Sequence, residues 1–269
     1  MTCIDCHTHA FPDELAPRAV AQLTQSAQTA NIQHYSDGSV RGLLASMDAA
    51  GIDQALVCSI ATRAAQFDNI LAFSRTMREE HGERLIPLLS VHPWDEQAPE
   101  RLQLAHDEGF VGIKWHPYYQ DFSLDDPTLF PLYEQMSELG LILVVHSGFD
   151  VAFPRKRRGD PERTLAVARR FPNLKLVATH VGGWDDWDEA ERVLIGRPVY
   201  LELSFGATML PPERFRKMLL AHPAEYLLFG SDSPWTDQKQ GLNAFRALNL
   251  PEALLERILF GNARRLLDA

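Results

Sequence analysis

Eight short apolar runs rich in β-branched residues recur along the 269-residue chain, and segments with helical patterns separate them. Most of the runs are continuously apolar, which is typical of parallel strands covered on both faces. The predicted strands span residues 3–7, 54–60, 85–92, 110–116, 141–147, 174–180, 199–204 and 226–231. Strands that alternate with helices, without a glycine-rich dinucleotide motif, favour a closed (β/α)8 TIM barrel, an α/β fold. The chain has the usual length of one such barrel, so we predict a single domain over residues 1–269.

The residues expected to begin and end the helices support this alternation. Asp126-Pro127 and Asp160-Pro161 each match an N-cap followed by proline at the first helical position. Gly51, Gly109 and Gly140 stand where a helix should end, just before the next strand. Both signals place helices between the predicted strands.

Two connections are longer than a barrel requires. Residues 10–42, between the first strand and its helix, form an insertion rich in alanine, in glutamine and in polar residues generally, which we expect to arch over the barrel mouth. A second long loop spans residues 148–160. Such loops determine the substrate, so the residues alone do not identify it.

The charge balance argues against nucleic acid as a partner. The chain has 36 acidic and 26 basic residues, which gives a net charge of −10. An acidic protein repels the phosphate backbone, and the one basic cluster, residues 155–158, is too short to compensate. We expect a small-molecule substrate and neither nucleic acid nor membrane as a partner, with a homodimer as a candidate assembly.

The three cysteines predict free thiols rather than disulfides. Cys3 and Cys6 form a C-x-x-C motif, but residues three apart on a strand point to opposite faces. Too few cysteines are present for a disulfide framework, which indicates a reducing compartment. No secretory or membrane-spanning pattern is visible in the sequence. We therefore predict a cytoplasmic protein.

Histidines cluster at the predicted strand ends. Six of the ten fall there, namely His7, His9, His92, His116, His146 and His180. Because the carboxyl ends of all barrel strands converge on one mouth, these side chains are expected to lie close together. Histidines placed at random would scatter over helices and loops, as the other four do.

Four strand ends supply a set of candidate metal ligands. His7-Thr8-His9 places two imidazoles on the same side of the first strand, although H-x-H alone is equally consistent with packing. His146 and His180 follow the fifth and sixth strands, and Asp232 lies just past the eighth. These nitrogen and oxygen donors suit Zn²⁺ and are acceptable to Mn²⁺, Fe²⁺ or Ni²⁺.

The order of these residues resembles the ligand plan of the amidohydrolase superfamily. The segments Gly112–Pro117, Thr179–Gly183 and Phe260–Leu266 resemble its amidohydrolase-related branch. That branch contains aminocarboxymuconate semialdehyde decarboxylase, aromatic-acid decarboxylases and lactone hydrolases. Ser231–Pro234 is also reminiscent of TatD-type deoxyribonucleases, but those have a glutamate on the fourth strand, where this chain has Lys114.

The resemblance implies that His7, His9, His146 and Asp232 hold a divalent metal, with His180 a further ligand or an adjacent acid/base. It implies a hydrolase in which metal-activated water attacks an ester, lactone or amide bond of a small carboxylated substrate. Asp232 would take a proton from the water, and His180 would polarise the carbonyl. The alternative is non-oxidative decarboxylation of an unsaturated or aromatic acid, in which Asp232 or His180 helps to protonate carbon. A catalytically silent metal-binding barrel is the non-enzyme alternative.

Lys114 determines the expected number of metal ions. In binuclear members of the superfamily, a lysine at this position is carbamylated and bridges two metals. Its neighbour His116 would compete for the same space, so we favour an unmodified Lys114 that faces the pocket. Its positive charge would disfavour a second cation and attract an anionic substrate group, which predicts one metal ion rather than two.

Other candidate substrate contacts follow the strand ends. They are His116, Arg157, Trp184 and Trp235, in addition to Lys114. A guanidinium group suits a carboxylate, and tryptophan side chains suit the wall of a pocket for a planar substrate. The alternative for Arg157 is a place in a solvated basic loop, and the alternative for the two tryptophans is packing under the helices. There is no G-x-S-x-G elbow or P-loop, so covalent serine hydrolysis and phosphoryl transfer are poorly supported.

Overall fold

The computed structural model describes residues 2–27 and 32–269, and it contains all eight predicted strands in the predicted order. Each strand is parallel to its paired neighbours. They are β1 (Ile4–Thr8), β2 (Gln54–Cys58), β3 (Leu85–Leu88), β4 (Gly112–Trp115), β5 (Ile142–Val145), β6 (Lys175–Ala178), β7 (Tyr200–Glu202) and β8 (Leu227–Leu228). Most end a few residues earlier than predicted, because the polar residues that follow leave the ladder to line a cavity.

Backbone hydrogen bonds join the two sheets, β1-β2-β3 and β4 to β8, into one ring. Leu89, just after β3, accepts a hydrogen bond from Lys114 on β4 at 2.8 Å. On the other side, the N–H group of Cys6 donates to the carbonyl oxygen of Phe229 at 2.9 Å. These contacts confirm the predicted (β/α)8 barrel.

Helices connect the strands and pack around the ring. They are α1 (Ala16–Ser26), α2 (Val40–Ala50), α3 (Phe67–His81), α4 (Ala98–Asp107), α5 (Phe130–Glu138), α6 (Pro161–Arg170), α7 (Trp187–Val193), α8 (Gly206–Met209), α9 (Pro212–Ala221), α10 (Gln238–Arg246), α11 (Glu252–Glu256) and α12 (Asn262–Asp268). Asp160 caps α6 as predicted, by accepting a hydrogen bond from the N–H group of Arg163. Gly51 ends α2 with φ of 70°, in the left-handed region that favours glycine. Within the described ranges, no helix combines the length and apolarity that crossing a membrane requires.

The barrel interior is filled by apolar side chains below the mouth. They come from six of the strands and from α12, namely Ile4, Cys6, Leu56, Cys58, Leu88, Ile142, Val144, Val177, Leu228, Ala263 and Leu266. Cys3 belongs instead to the layer between the ring and the helices, so Cys3 and Cys6 are buried, unpaired thiols as predicted. Cys6 faces the interior like Ile4, two residues earlier, and a register shift in β1 between Asp5 and Thr8 allows the adjacent His7 to line the cavity as well.

The insertion predicted at residues 10–42 contains a helix. α1 lies between β1 and α2, and its residues line the cavity at the carboxyl ends of the strands. Residues 28–31 of this prediction lie outside the described residues. The second long loop joins β5 to α6, also as predicted.

Candidate metal centre

A cavity of about 700 Å³ opens at the carboxyl ends of the strands. Its wall contains every residue predicted as a ligand or substrate contact except Arg157, and five of the six strand-end histidines, since His92 does not line it. The predicted residues that line it are His7, His9, Lys114, His116, His146, His180, Trp184, Asp232 and Trp235. Convergence of the strand ends therefore brings most of the candidate set together.

Two imidazoles from the end of β1 meet a carboxylate from the segment after β8. Oδ1 of Asp232 lies 3.1 Å from Nε2 of His9 and 3.4 Å from Nε2 of His7. The N–H group of Asp232 donates to the carbonyl oxygen of His7 at 2.7 Å, and φ of Asp232 is 61°. A non-glycine residue rarely adopts this left-handed conformation, which here directs the carboxylate toward the imidazoles.

Hydrogen bonds on the far side of each ring orient these imidazoles. Nδ1 of His9 donates to the carbonyl oxygen of Cys58 at 2.6 Å, and Nδ1 of His7 donates to Oε2 of Glu202 at 3.0 Å. Burial, and to a lesser extent the positive charge of Lys114, hold the pKa of His7 well below its usual range, which favours the neutral form of the ring. A histidine that donates from Nδ1 directs the lone pair of Nε2 into the cavity, where a metal ion can bind it.

The resulting donor set fits a divalent cation. One ligand atom from each of His7, His9 and Asp232 can lie within 4.8 Å of the other two. Two imidazole nitrogens and a carboxylate oxygen are typical ligands of catalytic zinc and are also accepted by other first-row metals.

His146 and His180 form a second pair beside this group. Nε2 of His180 lies 3.1 Å from Nδ1 of His146, and Nδ1 of His180 lies 2.8 Å from the hydroxyl of Ser204. Burial lowers the pKa of His146 to about 3 and that of His180 well below its usual range, which favours the neutral form of both rings. The ring centroid of His180 is 5.2 Å from that of His7. The structure thus places His146 next to the donor group of His7, His9 and Asp232, and His180 lies between His146 and His7.

Lys114 points into the same cluster from β4. Its Nζ atom lies 2.9 Å from Nε2 of His7, and the side chain is buried. Burial lowers the pKa of the Lys114 amine. A lysine in this position faces the space that a substrate or a metal would share with His7.

Glu202 on β7 is a candidate that our sequence analysis did not identify. It accepts hydrogen bonds from Nδ1 of His7, the N–H group of His180 and the hydroxyl of Ser204, at 3.0, 3.2 and 2.9 Å. Burial, and then the nearby Asp232 carboxylate, raise the pKa of Glu202 to about 8. The sequence did contain a signal, namely a carboxylate within an apolar strand. Such a residue calls for a partner, because charged side chains are seldom buried without one. Glu202 therefore positions both histidines.

The variant Glu202→Gln is expected to weaken metal binding roughly 10- to 100-fold, as the loss of a partner behind a ligand histidine usually does. The contacts from His7, His180 and the Ser204 hydroxyl all reach Oε2, and Oε1 accepts from the N–H group of Ser204. An amide nitrogen at either position cannot accept a hydrogen bond, so the variant loses contacts on one side of the side chain. Competition with a chelator measures the metal dissociation constant. Glu213→Gln, on the exposed first turn of α9, is the control. Equal metal affinity in wild type and Glu202→Gln would contradict the positioning role.

His116 and Asp150 form a further pair in the cavity wall. Nε2 of His116 lies 3.4 Å from Oδ2 of Asp150, and its ring stacks on His146 with 4.2 Å between centroids. Burial, and to a lesser extent the positive charge of Lys114, hold the pKa of His116 well below its usual range. Asp150 was missed in the sequence because acidic residues in long loops carry no distinguishing signal.

The structure places Arg157 away from the cavity. Its guanidinium lies 2.9 Å from Asp186 and also pairs with Glu189, so the structure does not support the predicted substrate contact. These partners lie at the start of α7, and the loop after β5 packs against that helix. Residue type alone does not show this packing. Trp184 and Trp235, by contrast, line the cavity as predicted.

Comparison with proteins of known function identifies a partial relative. A dihydroorotase from Pseudomonas putida is 34% identical to this chain over 111 residues. The aligned region covers 37% of this chain and 32% of the dihydroorotase, so the match spans about a third of the relative's length.

Solved structures match the fold over nearly the whole chain. An uncharacterised TIM-barrel protein from Bordetella bronchiseptica has a TM-score of 0.82 at 23% identity, covering 100% of this chain and 99% of that one. 5-Carboxyvanillate decarboxylase from Sphingomonas paucimobilis has a TM-score of 0.75 at 16% identity, covering 99% of each chain. A family model described as Amidohydrolase matches residues 4–269. The chain therefore belongs to the amidohydrolase family of enzymes.

Proposed function

We propose that this protein is a metal-dependent hydrolase that cleaves an ester, lactone or amide bond in a carboxylated small molecule. The observation that carries the proposal is the convergence of His7, His9 and Asp232 beside the buried Lys114 in one cavity. A divalent ion held by these three residues would supply Lewis acidity, which lowers the pKa of water and polarises a carbonyl group. We favour one zinc ion, because the donors are nitrogen and carboxylate oxygen and the positive charge of Lys114 beside them disfavours the binding of two cations together.

Asp232 is the proposed general base. Its contacts with both imidazoles involve Oδ1, which leaves Oδ2 to take the proton from water and pass it to the leaving group. The carboxylate side chain is only 11% exposed, so solvent competes weakly for the proton that it carries. Lys114 attracts the substrate carboxylate and places the carbonyl beside Asp232.

The surroundings of His180 make it a poor proton donor, so we assign the proton transfer to Asp232. Both ring nitrogens have protein partners, Ser204 and His146, at 2.8 and 3.1 Å. Donating a proton to a substrate carbon would require His180 to break one of these contacts. Proton transfer between oxygen atoms through Asp232 requires no such change.

Decarboxylation of an aromatic acid is the second candidate. Trp184, Phe205 and Trp235 contribute aromatic side chains to the cavity wall, which suits a planar substrate. The fold is also similar to that of 5-carboxyvanillate decarboxylase. Lys114 would then hold the carboxylate that is lost as CO2.

Metal removal and replacement test the proposal. Protein stripped with a chelator should lose hydrolysis of carboxylated esters, lactones or amides, and zinc should restore it. The same samples are assayed for CO2 release from aromatic and unsaturated acids. Metal-dependent CO2 release without hydrolysis would replace the hydrolase with the decarboxylase. Stoichiometric metal binding without either reaction would indicate a silent barrel.

A further inference from the structure

The cavity is larger than a small carboxylated lactone or amide requires. Its volume is about 700 Å³. A cavity of roughly 150 Å³ is already enough to hold benzene. Most of the space therefore remains free when the reactive group lies beside the histidine and aspartate cluster, and the residues around that space indicate what fills it.

α1 lines this remaining space with an apolar face. Leu15, Ala19 and Leu23 recur at four-residue spacing, so they lie on one side of the helix. Ala16 and Val20, on another side, are buried in the protein. Leu15 remains 56% exposed, while Ala19 and Leu23 are half-buried. One side of α1 thus anchors the helix and the other leaves apolar surface bordering the cavity.

A second group of apolar side chains lines the same space from β2 and α3. Ile60 follows β2, and Ile70 and Phe73 lie on one face of α3. In the described lining, neither α1 nor α3 contributes a carboxylate, and the polar residues that they add, Arg18, Gln22 and Asn69, are exposed. We call the space bordered by Phe11, Leu15, Ala19, Leu23, Ile60, Ile70 and Phe73 the upper chamber.

We propose that the substrate carries an extended apolar chain, which binds in the upper chamber while its scissile carbonyl lies beside His7, His9 and Asp232. This inference rests on the proposed hydrolase function and specifies its substrate class. The substrate chain would cover apolar side chains that residues 2–27 and 32–269 leave uncovered. Transfer of one methylene group from water into an apolar site strengthens binding about fourfold, or ~0.8 kcal/mol.

A series of esters that differ only in acyl chain, from acetyl to decanoyl, tests the proposal. We expect kcat/KM to rise about two- to fourfold per methylene until the chamber is filled, and then to level off. Ala19→Phe fills the chamber and should reduce the decanoyl-to-acetyl ratio of kcat/KM at least tenfold. Leu23→Ala enlarges the chamber and should move the plateau to longer chains. Ala21→Phe, at an exposed position of α1 outside the described cavity wall, should keep the wild-type ratio.

Binding of saturated acids, from acetate to decanoate, gives a readout that does not depend on turnover. Titration calorimetry on the metal-loaded protein should show affinity that rises with chain length in wild type and Ala21→Phe, and a weaker rise in Ala19→Phe. Equal affinity for acetate and decanoate would overturn the upper-chamber proposal, even if esters are hydrolysed. Rising affinity without metal-dependent hydrolysis would support the chamber and overturn the hydrolase function instead.

Discussion

Replacement of Asp232 by asparagine is expected to lower kcat/KM about 1,000-fold, because the variant loses both the proposed metal ligand and the proposed general base. Asparagine has nearly the same shape, and the backbone contact from Asp232 to His7 is independent of the side chain. The fold should therefore be retained. Metal content, activity and thermal unfolding are measured on the same sample.

Asp237→Asn is the matched control for this prediction. Asp237 is the N-cap of α10, where its side chain accepts a hydrogen bond from Gln240, and asparagine serves equally well as an N-cap. Wild-type activity is expected in the control. If Asp232→Asn retained both metal and turnover, another residue of the cavity would have to be the base.

Replacement of Lys114 by methionine is expected to raise KM for a carboxylated substrate about 100-fold, because a buried charge-assisted hydrogen bond is lost. The effect on the matching neutral substrate should be much smaller. Elemental analysis should give one equivalent of metal per chain in both wild type and Lys114→Met, because an unmodified lysine bridges no ions. Lys175→Met is the control, since Lys175 lies at the start of β6 and donates to the carbonyl oxygen of Gly140.

A binuclear centre would give a different set of results. Wild-type protein would contain about two equivalents of metal, and Lys114→Ala would lose metal and activity together. Short carboxylic acids would then restore part of the activity by replacing a carbamate. That outcome would show that Lys114 is carbamylated and would overturn the single-metal expectation.

The barrel and its mouth were predictable because they depend on patterns local to each strand. Continuous apolar runs indicate strands buried on both faces, and their order with the intervening helices determines a parallel ring. Once the ring is known, polar residues directly after the runs must meet at one end. His7, His9 and Asp232 converge for that reason, although 223 positions separate His9 from Asp232.

The contacts made by Glu202, Asp150 and Arg157 were not predictable in this way. Each depends on which side chain from a distant element lies opposite, and a sequence pattern records spacing within an element only. Glu202 reaches Nδ1 of His7 across 195 positions. Arg157 meets Asp186 and Glu189 because the loop after β5 packs against α7.

The sequence by itself determined the fold, the end of the barrel that holds the candidate site and the chemical types of its candidate metal ligands. The tertiary structure alone decided which ring nitrogen of each histidine faces the cavity, since the contacts of His7 with Glu202 and of His9 with Cys58 set those orientations. It also decided that α1 lies along one side of the upper chamber and does not close over it. Strand position follows from local periodicity, whereas side-chain direction and cavity shape depend on partners brought together by folding.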